Sequence, residues 1–219
     1  MVNKMKKFIF PIDKYQAAWA LSPIRTKPDV IDLLMRLVKV MSLGMNAPTN
    51  QSVASVVLTV SKMSRLFLVS PNKIFSINFP FRVEEEAGVL RFQSHAHKNV
   101  DSRATSNILA LLANQDLLSS FEILHFAEPI LDASTNDSDI WALFRELLLF
   151  EDGYIRYDND LERQNGHRHP LHHLDIFYSN SSTFKLGLHS GISSGDFEDL
   201  LDTETDCHFV RKLGSGLAM

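Results

Sequence analysis

The apolar positions change period along the chain, and each change marks an element. Between Pro28 and Leu43, Ile31, Leu34, Leu37, Val38 and Met41 recur at helical spacing. Pro28 suits a first-turn position, because its missing N–H leaves no bond unmade there. Asp29 and Asp32 complement the positive end of the helix dipole, and Gly44 supplies a stop. The pattern predicts a helix over 28–43. Upstream, residues 8–24 mix aromatics with Pro11 and Pro23. That predicts a short strand or turn, then a briefly helical piece around 15–21.

Beyond the helix the period shortens. Val53 to Val60 reads either as a helix end or as a strand. Segments 65–69, 73–79 and 89–93 are rich in β-branched and aromatic residues and predict an antiparallel meander. Pro71-Asn72 and the run 84–88 separate them as turns, with Glu84, Glu85 and Glu86 at a solvated hairpin tip. Residues 101–118 predict a helix with Ile108, Leu111 and Leu112 facing inward, and 121–126 a strand. Asp137-Ser138 offers an N-cap for a helix over 139–150. A strand over 151–157, a polar loop over 158–170, a hairpin of 174–178 with 183–188, and a short helix over 195–201 complete the pattern. The elements predict one α+β domain over residues 1–213, an antiparallel sheet with helices packed on one face, and a flexible tail over 214–219.

A chain of 219 residues is long enough to bury one full core. Its 15 phenylalanines favour order, since each ring adds substantial apolar burial. The formal net charge is −4, and the only basic run is Lys4, Lys6 and Lys7. A direct grip on a nucleic-acid backbone normally needs a basic stripe, so that class is disfavoured. Cys207 is the single cysteine, which excludes an internal disulfide and a cysteine-only zinc site and leaves it a spectator thiol. Apolar stretches break within about ten residues, where a membrane span needs about 20. Pro11 and Asp13 cut off the basic-then-apolar start before signal-peptide length. The expectation is a soluble, cytoplasmic chain. Gly191 and Gly195 lack the Lys-Ser/Thr that completes a phosphate loop, so no ATP binding by the chain itself is expected.

The distinctive chemistry lies in one stretch. Five of the nine histidines fall between 167 and 189, after the acids Asp152, Asp158 and Asp160. If the flanking strands pair, the acidic end of the first meets the histidine end of the second. Residues two apart on a strand share a face, so His173 and Asp175 point the same way, as do Asp158 and Asp160 if the strand runs that far. Three readings stay open. The first is a divalent metal on Asp158, Asp160, His169, His173 and Asp175, a donor set suited to zinc, manganese or nickel. Its spacing matches no established signature, and Pro170 argues against a helical His-Glu-x-x-His arrangement. The second is acid–base chemistry on a phosphodiester, with His169, His173, Asp175 and Lys185 as catalytic candidates. Paired His-x-Ser/Thr motifs are absent, and Thr183 stands where an acid-x-Lys nuclease motif carries its acid. In the third, these side chains satisfy one another and brace a loop. His95 and His97 read as an exposed turn or as an extension of the cluster, and His125 as a residue of an apolar strand.

The run from Tyr154 to Leu188 also carries a resemblance. Tyr154-Ile155-Arg156-Tyr157-Asp158-Asn159-Asp160, then His169-Pro170-Leu171-His172-His173-Leu174-Asp175-Ile176, then Phe184-Lys185-Leu186-Gly187-Leu188 resembles uncharacterised bacterial families of antiphage defence loci, one of them encoded beside a helicase. There the second motif more often ends in His, where this chain has Asp175. The matched positions are His169, Pro170, His173 and Asp175, with Asp158 and Asp160 upstream. The resemblance implies an accessory or sensor subunit acting with a larger ATPase, helicase or nuclease partner, reaching nucleic acid through that partner and no membrane. The alternative is a phosphodiesterase or nuclease built on the His/Asp cluster, with a divalent metal as its one candidate cofactor.

Overall fold

A computed structural model describes residues 5–62, 64–114, 131, 134–135, 139–179 and 182–208. The chain forms an antiparallel sheet of seven strands: β1 (Lys6–Ile12), β2 (Ala54–Val60), β3 (Arg65–Val69), β4 (Lys73–Asn78), β7 (Ile155–Asn159), β8 (His172–Ser179) and β9 (Ser182–Gly187). Spatial order follows chain order, with an insertion between β4 and β7. That insertion carries a separate hairpin of β5 (Arg82–Glu86) and β6 (Val89–Gln93), then α3 (Ser102–Ala113) and α4 (Ile140–Leu149). Helices named among the described residues also include α1 (Lys14–Ala20), α2 (Lys27–Leu43) and α5 (Ser194–Leu200).

The α2 helix begins as its sequence predicts. Thr26 is the N-cap, Asp29 closes a capping box with it, and Pro28 lies in the first turn. Its buried residues run through Val30, Leu33, Met35 and Val40 as well as the predicted stripe. One face meets the sheet residues Ile12, Val56, Leu58, Leu66, Leu68 and Phe75, and α3 and α4 press on the rest. Helices α1 to α4 share this main core. On the opposite sheet face a smaller cluster forms from Val57, Phe67, Ile74, Tyr157 and Leu174 around Phe197 of α5. The predicted arrangement of helices on one face therefore holds for α1 to α4, with α5 added on the other.

Most predicted boundaries lie within two residues of the observed ones. The ambiguous 53–60 segment is strand β2. The acids at 84–86 belong to β5 itself, and Ala87 and Gly88 make the turn. Strand β5 is almost wholly exposed, while β6 buries Leu90 and Phe92 in the main core, so the acids of β5 bury no charge; Arg91 and Gln93 across the ladder pair with Glu86 and Glu84. The strand predicted over 151–157 starts later, at Ile155. Gly153 explains the delay: its φ is +53°, and a Cβ there would lie 2.6 Å from the Asn78 amide. Asn78 cannot easily retreat, because it accepts from Arg65 Nη1 at 2.6 Å and donates to the Glu151 carbonyl. The predicted strand 121–126, with His125, the N-cap pair at 137–138 and the tail 214–219 all lie outside the described residues.

Candidate functional site

The register of β4, β7, β8 and β9 places polar side chains in two cross-strand rows on the helix-bearing face. One row runs Phe75, Arg156, Asp175, Lys185, and the next Lys73, Asp158, His173, Gly187. The two predicted halves of the cluster therefore do meet. Asp158 is paired directly with His173, and Arg156 with Asp175.

Each charge in these rows has a partner. Arg156 Nε donates to Asp158 Oδ2 at 2.7 Å, and its Nη2 donates to Asp175 Oδ2. Lys185 Nζ donates to Asp175 Oδ1 at 2.7 Å and to His173 Nε2 at 3.0 Å. The other nitrogen of His173, Nδ1, lies 2.8 Å from the Pro170 carbonyl oxygen. A carbonyl only accepts, so Nδ1 carries the proton and Nε2 receives the lysine N–H. Pro170 reaches this position by folding over Gly187, where a Cβ would lie 2.9 Å from its ring. Lys73 donates to the Leu21 carbonyl at 2.8 Å. Burial, and secondly the charge of Arg156, hold its ammonium below the usual lysine value against the pull of Asp158. Burial alone would lower Arg156 as well, but Tyr154, Asp158 and Asp175 prevail and raise it.

The inner members of the cluster are shut off from water. His173 is 0% exposed and Asp175 3%. The Lys185 side chain, 37% exposed, is the part that reaches the surface. The five predicted metal ligands also divide. Asp158, His173 and Asp175 bring ligand atoms within 4.8 Å of one another. Asp160 and His169 form a separate pair, with His169 Nε2 3.0 Å from Asp160 Oδ2. The reason is that β7 ends at Asn159, so Asp160 leaves the strand alternation and joins the loop, where Arg163 also meets it. The His169 ring still packs edge-on against His173, with centroids 4.7 Å apart. His172 lies on the other sheet face against Tyr157, whose hydroxyl is 2.9 Å from its Nδ1. The His95–His97 turn is held at α4, where Glu146 accepts from the His95 and Ala96 amides.

Three of the five donors, Asp158, His173 and Asp175, fit a divalent ion by residue type and spacing. Their lone pairs, however, already face Arg156 and Lys185, so an ion would have to displace the Lys185 ammonium and share both carboxylates with Arg156. Arg156 is a member of the cluster to which sequence reasoning assigned no role. Strand alternation was the available signal, since it puts residue 156 on the same face as Asp158.

Compared with protein-family models, with curated proteins and with solved structures, the chain matches none. No helix among the described residues is long and apolar enough to cross a membrane.

Proposed function

We infer that this chain is an accessory or sensor subunit of a bacterial antiphage defence system, acting in the cytoplasm with a larger ATPase, helicase or nuclease partner. The motif that carries the family resemblance is built here as a brace. One observation supports this above the others: Lys185 occupies the Nε2 lone pair of buried His173 while Arg156 and Lys185 neutralise Asp175. A general base needs a lone pair within reach of its substrate, and this one is spent inside the protein. Locked side chains of this kind hold the 160–171 loop and edge strand β9 in one shape, which suits a recognition surface. The test is purification of the chain from cells carrying its native locus. Stoichiometric recovery of an ATPase, helicase or nuclease identified by mass spectrometry is expected; recovery of free monomer alone overturns the reading.

A second reading rests on the proximity of Asp158, His173 and Asp175. If Lys185 swings outward, these three residues offer a metal a partial coordination shell, and the chain becomes a metal-dependent phosphodiesterase or nuclease. Purified protein incubated with DNA, RNA and zinc or manganese decides it. Hydrolysis that disappears in His173→Ala supports this second reading, and hydrolysis that survives in that variant excludes the site.

A further inference from the structure

Behind the edge strand, a cavity of about 640 Å³ opens between β9, the loop before β8 and α5. That volume falls within the usual range for small-molecule sites. The floor is apolar: Leu174, Leu186, Leu188, Ile192 and Leu200. The remaining lining is of another kind, with His167, Arg168, Lys185 and His189 among it.

The state of these polar groups decides what the cavity asks for. The side chains of His167, Arg168 and His189 make no hydrogen bond or ion pair within the described residues. Lys185 spends two of its three N–H groups on Asp175 and His173 and keeps one. On the same wall the Asp196 carboxylate is turned toward its own helix cap, where Oδ2 takes the Ser193 amide at 2.8 Å and its hydroxyl at 2.7 Å. His208 is held by Asp199 at 3.0 Å. The cavity thus offers unspent donors, the Arg168 guanidinium fork among them, above a greasy floor.

A lining divided in this way calls for a ligand divided the same way. We propose that the cavity binds an organic phosphomonoester, its apolar body over Leu174, Leu186 and Leu200 and its phosphate against Arg168, Lys185, His167 and His189. The Arg168 guanidinium fork matches a phosphate's oxygens, and several convergent donors suit a dianion better than a single carboxylate. No glycine-rich loop is needed, because side chains rather than backbone amides supply the donors. The inference holds whether or not the chain works in a complex.

Calorimetry on the full chain tests it with four probes: adenosine monophosphate, octyl phosphate, inorganic phosphate and adenosine. At least one phosphomonoester should bind at least about tenfold more tightly than inorganic phosphate and adenosine, a difference of about 1.4 kcal/mol. A response to adenosine monophosphate assigns a nucleoside body, and one to octyl phosphate an alkyl body. Arg168→Ala with His189→Ala should cost at least about tenfold in affinity. Both positions are exposed, so circular dichroism should stay unchanged. No saturable binding of either phosphomonoester, binding no tighter than inorganic phosphate, or full affinity in the double variant overturns the proposal.

Discussion

Lys185 and His173 share one hydrogen bond, Nζ to Nε2 at 3.0 Å, and it joins the exposed edge of the sheet to a fully buried ring. The lysine is the movable member of this pair. Its displacement would uncover the two acceptors, His173 Nε2 and Asp175 Oδ1, that a cation could use.

Metal binding should therefore be weak in the native chain and gained on removing the lysine. Lys185→Ala is expected to raise zinc affinity at least about tenfold over the native chain in a calorimetric titration, since both freed acceptors face one point. Equal affinities would mean that Lys185 does not occupy the position of the ion. The same substitution should cost little stability, about 1 kcal/mol or less, because its side chain is partly solvated.

Asp175 should behave differently. Asp175→Asn leaves Arg156 buried with half its counter-charge removed. Breaking a buried pair from one side costs about 3–5 kcal/mol. Urea denaturation should show a loss of that size, well above the loss for Lys185→Ala.

The loop pair should confer acid sensitivity. Burial alone would raise the Asp160 carboxyl, but the Arg163 amide, the His169 ring and the charges of both hold it below the ordinary 3.8. A folded-state value below the unfolded one gives stability that is complete above the unfolded value and lost as pH falls through the folded one. The 160–171 loop should therefore become open to proteolysis below about pH 4, read with an acid protease. Asp160→Asn should open it at neutral pH and flatten that dependence.

Gly153→Ala meets two obstacles at once, a left-handed backbone and the Asn78 amide. The backbone alone costs about 1–2 kcal/mol. The loss in thermal unfolding should exceed that, because Asn78 is held by Arg65 and Glu151 and cannot give way freely.

These residues also show where sequence reading succeeded and where it stopped. Pro28, Asp29, Gly44 and the apolar stripe of α2 act locally, so the helix was legible. Strands β3 and β6 were legible because turn residues bound them. Glu84 to Glu86 misled because three acids read as a turn, while the exposed strand β5 tolerates them. In the site, the meeting of Asp158 with His173 followed from strand pairing. The burial of His173 did not, since it depends on Pro170 lying over Gly187, a contact between chain segments that periodicity does not encode. The separation of Asp160 from Asp158 turned on where β7 ends, and strand ends are set by tertiary contacts.

The position of α5 has a consequence for biosynthesis. Phe197 fills the second sheet face against Val57 and Phe67, and Glu198 accepts from Lys7 of β1 at 2.7 Å. The last described helix thus returns to strands made well before it. On the ribosome, Val57, Phe67 and Ile74 wait for α5 to emerge, so the nascent chain carries a sticky surface while the intervening residues are made.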